Sequence, residues 1–299
     1  MLTKMKTIAD HWGTIKYVQD KKTRWWQFPA ILRHINARVC GRPVEGFSQG
    51  LIELLKEKGG HERYDSGIAV ACGSGQKEMN LIRQGIVNRF FLFDLSQERV
   101  RQGKELAQKY GIAERVCFMD ENPLHSLPPG SVDFVHWNNA LHHMFDAEEA
   151  VHQSRWLLRP GGVFLMDDFI GPNRFQWKDE CLEVATWLRR QLPPHYLQHP
   201  SEPGQVLPTA ISRPDPSALM SIDPSEAADS EKILPSVYKV FRDAEIRMTG
   251  GIIYHLALND VLANMDEERD RELLEMMLDL DEKCSDMGWN HYAVALAFA

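Results

Sequence analysis

The chain has 299 residues, 43% of them hydrophobic and 25% charged, proportions that are ordinary for a globular domain with a sizeable core. Its 34 Lys and Arg against 42 Asp and Glu give a net charge of −8, so nucleic acid is not an expected partner. The first residues lack a secretory apolar stretch, and no apolar run approaches the roughly 20 residues that span a bilayer, so we expect a cytoplasmic protein.

Residues 1–66 have a helical pattern and contain three of the eight tryptophans. Phe47, Leu51, Leu54 and Leu55 recur at helical spacing before Gly59 and Gly60, which are typical of a helix end. We therefore predict that residues 1–66 form an N-terminal helical cap.

From Gly67 the chain alternates short apolar runs with helical stretches. The runs are residues 67–71, 90–93, 116–119, 132–136 and 163–167. Continuous apolarity indicates strands that are covered on both faces, and strands that alternate with helices indicate a parallel sheet with right-handed crossovers. The predicted class is α/β, with residues 67–170 as its core. Ser96 and Asp146 are the predicted N-caps of two of the helices.

Nine of the sixteen prolines lie in residues 193–235. Proline removes hydrogen-bond donors and interrupts helices, so we predict an irregular excursion or a mobile lid within a substrate-side insertion over residues 171–240. Residues 241–299 are predicted to complete the core with strands at 244–248 and 291–298. Between these strands an apolar stripe of Leu273, Met276, Met277 and Leu280 indicates a core contact or a homodimer face.

The first predicted strand runs directly into Gly73-Ser74-Gly75, and a helix follows. Glycines at such a turn let the backbone approach a ligand closely, and the free N–H groups of the helix start point at that ligand. Asp94 ends the second predicted strand, where a carboxylate can accept hydrogen bonds from ribose hydroxyls. This pattern predicts a nucleotide-like cofactor.

Glu78 stands where the dinucleotide fingerprint requires its third glycine, which disfavours NAD and FAD. The residues Gly-Lys-Ser/Thr of a phosphate-binding P-loop are also missing here. The remaining ribose-bearing ligand of this geometry is S-adenosylmethionine, which has no phosphate to bind.

The segments GIAVACGSG, FLFDLS, FMDENP, SVDFVHWNNALHH and LLRPGG resemble, in order and spacing, the motifs of class I S-adenosylmethionine-dependent methyltransferases. The resemblance covers about residues 60–170 and implies a Rossmann-like doubly wound sheet with an antiparallel last strand. By position it implies a methionyl and ribose contact for Gly73, Ser74 and Gly75, a ribose contact for Asp94 and an adenine contact for Asp120. It also implies further cofactor contacts by Ala71, Cys72, Leu95, Glu121, Asn138 and Asn139. Ala69 replaces the acidic residue that commonly opens the first motif.

His142 and His143 follow the fourth predicted strand, at the sheet edge where α/β proteins bind ligands, and are the candidate catalytic bases. Asp167 and Asp168 with Asn139 could hold Mg²⁺, but such sites usually contain more acidic ligands, so no metal is expected. The five scattered cysteines favour free thiols over a zinc site. The candidate acceptor-binding residues are Trp25, Trp26, His34, Asp168, Arg174, Phe175 and Trp177.

Together these patterns predict a methyltransferase that acts on a small-molecule or saccharide acceptor, with O-methylation favoured over N-methylation. Two alternatives remain at this point. A nucleotide-dependent oxidoreductase or epimerase would need to tolerate Glu78 in its fingerprint. A non-catalytic, regulatory S-adenosylmethionine-binding protein is supported only by Ala69.

Overall fold

The computed structural model describes residues 2–14, 24–59 and 61–299, and these contain one seven-stranded sheet. The strands are β1 (Tyr64–Val70), β2 (Val87–Phe93), β3 (Val116–Phe118), β4 (Val132–Asn138), β5 (Leu158–Phe169), β6 (Glu245–Gly250) and β7 (Tyr292–Phe298).

The strand order in the sheet is β3-β2-β1-β4-β5-β7-β6. The strands from β3 to β5 pair in parallel, whereas β7 is antiparallel to both of its neighbours. The chain winds outward from β1 to β2 and β3, and returns to β4 on the other side. The carboxyl ends of β1 and β4 therefore flank a crevice at a topological switch point, where ligands bind in open α/β sheets.

Eleven α-helices are present in the described residues. They are α1 (Leu2–Thr14), α2 (Pro29–Cys40), α3 (Gln49–Glu57), α4 (Gln76–Arg83), α5 (Gln97–Lys109), α6 (Pro123–Ser126), α7 (Ala147–Leu157), α8 (Asp179–Gln191), α9 (Pro216–Ile222), α10 (Ile233–Val240) and α11 (Arg271–Asp286).

The helices cover both faces of the sheet, because successive strand residues point to opposite sides. One face buries Phe134, Val163 and Leu165 against α3, α4 and α5. The other face buries Val135, Phe164 and Met166 against α6, α7 and α10. A third apolar cluster joins α2, α8, α11 and a π-helical segment at Ile252–Ala257, beside β7. The core therefore holds the strand ends rigidly around the crevice.

The predicted α/β class, with its antiparallel last strand, is confirmed. Five of the strands are longer than the apolar runs indicate, whereas β3 and β7 are each one residue shorter. β1 begins at Tyr64 rather than Gly67, because Tyr64 pairs with Val87 although Asp65 is exposed. Ser96 and Asp146 cap α5 and α7 as predicted, accepting hydrogen bonds from the backbone N–H groups of Arg99 and Glu149.

Two expectations for the C-terminal half need correction. The proline-rich stretch contains α9 and the start of α10, because Pro216 occupies the first turn of α9, where proline is tolerated. The stripe predicted on α11 is divided: Met277 is buried, but Met276 is 57% exposed. No helix in the described ranges has the length and apolarity that crossing a membrane requires.

Candidate functional site

The turn that follows β1 is shaped by two glycines. Gly73 and Gly75 have φ values of 59° and 68°, in the left-handed region that favours glycine. A Cβ built on Gly75 would lie 2.4 Å from Leu92 Cδ1, so a side chain there would collide with β2. A Cβ built on Gly73 would meet nothing within 4 Å. Gly75 thus packs the turn against the sheet, while Gly73 faces open space in which a ligand has room.

Asp94 ties the end of β2 to this turn. Its carboxylate accepts hydrogen bonds from the backbone N–H groups of Gly73 (2.7 Å) and Ser96 (2.8 Å). Burial raises the pKa of Asp94, and these two N–H groups oppose that rise. Each carboxylate oxygen still has a lone pair for a further donor. The turn and Asp94 are therefore one preassembled unit.

On the opposite side of the crevice, His142 lies between two carboxylates. Its Nδ1 is 2.5 Å from Asp168 Oδ1, and its Nε2 is 3.5 Å from Glu226 Oε1. Asp168 also accepts hydrogen bonds from the backbone N–H groups of Ala140 and Leu141, so its position is fixed from several sides. Burial alone would lower the pKa of His142, but Asp168 and Glu226 together raise it.

Glu226 belongs to the proline-rich insertion, which is fastened to the strand ends. The carbonyl of Glu226 accepts a hydrogen bond from Arg174 Nη1 (2.7 Å), and Ala228 N–H donates to the carbonyl of His142 (3.0 Å). Burial would raise the pKa of Glu226, but the nearby His143, His142 and His255 lower it to about 2. Glu226 is therefore a partly buried, ionised carboxylate that faces histidines.

His143 has separate partners on the same insertion. Its Nδ1 lies 3.1 Å from Ser225 Oγ, and that hydroxyl donates a 2.6 Å hydrogen bond to Asp223. The indole N–H of Trp12, in α1, donates to the other oxygen of Asp223 (2.9 Å). Burial and the neighbouring His142 lower the pKa of His143. The pKa values of the two histidines therefore shift in opposite directions, although their rings are 4.1 Å apart.

His142, His143 and Glu226 offer ligand atoms within 4.8 Å of one another, a spacing that a divalent cation could use. Both ring nitrogens of His142 already face carboxylates, at 2.5 Å and 3.5 Å. A cation would therefore have to replace at least one of these contacts. The arrangement is better suited to holding and moving a proton.

An aromatic wall adjoins the histidines. Phe169 packs edge-on against His142, with ring centroids 6.0 Å apart, and Phe175 stacks on Trp177 at 5.0 Å. His255 and His291 complete this wall, and their Nδ1 atoms are buried without a hydrogen-bond partner among the described residues. Burial is the main cause that lowers their pKa values, to about 4 and about 3.

Comparisons with known proteins agree with this geometry. Residues 68–166 match the family model Methyltransf_11, described as "Methyltransferase domain". The chain carries a class I S-adenosylmethionine-dependent methyltransferase domain. This finding removes the oxidoreductase alternative.

Two curated relatives support the methyltransferase domain. Methyltransferase gedG of Aspergillus terreus is 40% identical over 83 residues, which are 28% of this chain and 25% of that protein. The 27-O-demethylrifamycin SV methyltransferase of Amycolatopsis mediterranei is 28% identical over 149 residues, 49% of each chain. The chain thus spans between a quarter and a half of the length of these relatives.

The fold extends beyond the methyltransferase domain. Geranyl diphosphate C-methyltransferase from Streptomyces coelicolor A3(2) has a TM-score of 0.56 to this chain at 13% identity. The likeness covers 99% of this chain and 97% of that one, so the N-terminal helices and the insertion belong to a shared architecture.

S-adenosylmethionine fits the residues of the methyltransferase domain. No atom lies within 4 Å of a Cβ built on Gly73, and Asp94 can accept from ribose hydroxyls without losing its backbone donors. Asp120 and Glu121 follow β3 and are exposed, one strand farther from β1 than Asp94. Ala71, Cys72, Ser74 and Leu95 lie in the two turns beside them and are partly buried.

The structure places only some of the predicted acceptor residues beside the histidines. Asp168, Phe175 and Trp177 lie with the histidines, and Arg174 holds Glu226. Trp25 is 2% exposed and packs on Tyr254 and Tyr292 in the core near this wall, whereas Trp26 is 37% exposed.

The structure places His34 on α2, and its role in acceptor binding stays a prediction. His34 lies on α2, and its charged neighbours are Arg38 on the same helix and Asp279 on α11, so it belongs to a helix contact. Burial, with Arg38, lowers its pKa to about 4.

The sequence reasoning missed Glu226, Asp223, Trp12 and Lys77. Glu226 and Asp223 lie in a stretch that was noted only for its prolines, and their partners are far away in sequence.

Asn138 and Asn139, which were predicted, take different positions. The Asn138 side chain donates to Ser48 Oγ (2.9 Å), and that hydroxyl donates to Asp167 (2.6 Å). Asn139 has a φ of 48°, a strained value that turns the chain at the strand end.

Proposed function

We propose that the protein transfers a methyl group from S-adenosylmethionine to a hydroxyl of a small-molecule or saccharide acceptor. The observation that supports this most directly is the placement of His142, between Asp168 and Glu226 and across the crevice from the glycine turn. A hydroxyl loses a proton as it is methylated, so an oxygen acceptor needs a nearby base.

In this proposal Asp94 would hold the donor's ribose and Asp120 would contact its adenine, and the β4 and β5 ends would face its methyl group. When bound, the donor supplies an electrophilic methyl group on a sulfonium. The domain's main task is then to align the acceptor and to exclude water. The aromatic wall of buried Phe169 and Trp177 and partly buried Phe175 serves both purposes.

His142 is the proposed base, and Asp168 fixes its tautomer by accepting from Nδ1. The acceptor hydroxyl enters between Nε2 and Glu226 and replaces the 3.5 Å contact that joins them. With Glu226 displaced, the pKa of His142 falls toward its ordinary value, because one of the two carboxylates that stabilise the imidazolium has moved away. The neutral Nε2 would then take the hydroxyl proton as the new C–O bond forms and the methyl–sulfur bond breaks, with the thioether as the leaving group.

The names of the relatives support an oxygen acceptor in part. The Amycolatopsis mediterranei relative is named for an O-demethylated substrate, whereas the Streptomyces coelicolor enzyme is named as a C-methyltransferase. The buried histidine and carboxylate favour the oxygen acceptor for this chain, since a neutral amine needs no base. The free cysteines Cys40, Cys72, Cys117, Cys181 and Cys284 fit the proposed cytoplasmic location.

Methyl-labelled S-adenosylmethionine, incubated with the protein and fractionated cell extracts, tests the proposal. We expect label in a small molecule, and mass analysis should place it on oxygen. Label on nitrogen or carbon would overturn the oxygen assignment. Donor binding without label in any fraction would favour the non-catalytic binding protein.

A further inference from the structure

Lys77 crosses the crevice from one strand end to the other. It lies two residues after Gly75, in the first turn of α4, and its Nζ donates a hydrogen bond to the carbonyl of Asn138, at the end of β4 (2.6 Å). The side chain therefore spans the switch point between β1 and β4, a position that the mechanism above leaves without a role.

The surroundings of this ammonium group do not neutralise it fully. Its hydrogen-bond acceptor is a neutral carbonyl, and no carboxylate of the described residues lies within salt-bridge distance of Nζ. The nearest acidic groups, Glu78, Asp167 and Asp168, act on it only from farther away. Desolvation lowers the pKa of Lys77, and these acidic groups oppose that shift. A partly buried cation without a carboxylate in contact is complementary to an anionic group of a ligand.

One carboxylate oxygen of Glu78 and one of Asp167 are paired with other residues. Glu78 Oε1 lies 2.7 Å from His136 Nδ1 beneath the turn, and Asp167 accepts from Ser48 Oγ. The ring of Phe47, 5.5 Å from Nζ, gives a weaker attraction. Lys77 is thus a positive charge that the protein holds in place without supplying a counter-charge in contact.

The donor has one anionic group. Its ribose is assigned to Asp94 at the β2 end and its methyl group points to His142 beyond β4, so its amino-acid part comes between them, at the ends of β1 and β4. We propose that Lys77 binds the α-carboxylate of the donor, and that the Asn138 carbonyl then accepts from the donor's α-ammonium in place of Lys77. This inference rests on the proposed function.

Ala69 is consistent with this assignment. Its side chain is 2% exposed and offers no charge, so recognition of the donor's zwitterionic end has to come from another residue. Lys77 and the Asn138 carbonyl provide one donor and one acceptor side by side, which matches a carboxylate next to an ammonium.

Calorimetric titration with three ligands tests the proposal. S-adenosylmethionine carries the carboxylate, decarboxylated S-adenosylmethionine lacks only that group, and 5′-methylthioadenosine lacks the amino-acid part. We expect the wild-type protein to bind the first ligand about tenfold to a hundredfold more tightly than the second. Lys77→Met should remove that preference and leave the affinities for the other two ligands within about twofold. Lys77→Arg should restore part of the preference, and Lys104→Met, which changes an exposed lysine of α5, should have no effect.

The outcomes separate the two proposals. If the wild-type protein binds none of the three ligands, the proposed function is overturned, and the role of Lys77 with it. Equal wild-type affinities for the first two ligands overturn only the role of Lys77, as do equal losses for all three ligands in Lys77→Met. Because the first comparison needs no variant, it can overturn the role of Lys77 even if Lys77→Met does not fold, and Lys77→Arg then tests the assignment.

Discussion

The two sides of the crevice are built in different ways. On the donor side, Gly73, Gly75 and Asp94 come from one βαβ unit and are joined by backbone N–H groups, with Gly73 and Asp94 21 residues apart. On the acceptor side, His142 and Asp168 are 26 residues apart, and the indole of Trp12 reaches Asp223 across 211 residues. The donor side is local backbone geometry, and the acceptor side is a tertiary assembly of side chains.

This difference separates two kinds of function. A turn that is shaped by glycine φ angles can bind the same ligand whatever the rest of the chain supplies. Side chains from the cap, the strand ends and the insertion can vary independently, so they are suited to defining the acceptor. Variants on the two sides should therefore affect different measured quantities.

The largest expected effect is on the acceptor side. His142→Asn should slow methyl transfer by about a hundredfold to ten-thousandfold, the range for loss of a general base, because Asn cannot take the hydroxyl proton. Donor affinity should remain unchanged, since His142 lies across the crevice from Asp94. Single-turnover transfer of labelled methyl, with calorimetry for the donor, measures both quantities.

His152→Asn is the matched control, because His152 is an exposed histidine of α7. Normal turnover in His142→Asn would remove His142 as the base. If His143→Asn were slow instead, the base role would pass to His143.

The next effect is on the donor side. Asp94→Ala should weaken donor binding by about 1.5–3 kcal/mol, because hydrogen bonds to a charged group are lost. His142→Asn should slow turnover by the same factor in Asp94→Ala as in the wild-type protein. Asp65→Ala removes an exposed carboxylate from β1 and serves as the control.

Asp94 also holds the N–H groups of Gly73 and Ser96, so the thermal midpoint of the variant must be compared with that of the wild type. Asp94→Asn keeps an acceptor oxygen for one of these two N–H groups. Undiminished donor affinity in both variants would remove Asp94 from the ribose role.

The sequence was informative to the degree that the interactions are local. Apolar runs identified all seven strands, and the glycine turn with Asp94 predicted a donor crevice, because strand burial and turn geometry depend on neighbouring residues. His142, Asp168, Phe175 and Trp177 were named because they follow strand ends.

The remaining acceptor residues could not be read in this way. Glu226 acquires its significance only when the insertion is folded back onto β4 and β5, and Lys77 resembles any surface lysine of an amphipathic helix until Asn138 is placed beside it. The charge of Asp279 on α11 acts on His34 from about 245 residues away in the sequence, an influence that no local pattern encodes.

A third prediction concerns acid stability and belongs to the acceptor side. His291 is buried beside Trp177, and burial lowers its pKa to about 3. A histidine whose folded-state pKa is depressed contributes stability above its unfolded pKa of about 6.5, and this contribution is lost as the pH falls toward the folded value. Between about pH 7.5 and about pH 5, His291 should cost the fold about 2 kcal/mol.

Urea unfolding at the two pH values measures this loss. His291→Asn should lose about 2 kcal/mol less than the wild type between them, even if the variant is less stable at both. His125→Asn, at an exposed site on α6, should lose as much as the wild type. An equal loss in His291→Asn and the wild type would show that this histidine does not make the aromatic wall sensitive to acid.

The smallest effect distinguishes two roles for Glu226. Glu226→Gln removes one of the carboxylates that raise the pKa of His142, so neutral His142 should exist at lower pH. The rising limb of the turnover profile should move down by about one pH unit, the scale of one charge contact in a partly relaxed site. Glu202→Gln, on an exposed part of the same insertion, should leave the limb in place.

The plateau rate at high pH distinguishes the two roles of Glu226. If Glu226 only holds the imidazolium, the plateau rate at high pH should be unchanged in Glu226→Gln, because the base itself is intact. If Glu226 also accepts the proton, the plateau should fall together with the shift. An unmoved limb with a normal plateau would mean that the 3.5 Å contact does not influence the protonation of His142, and the acceptor side would then depend on Asp168 alone.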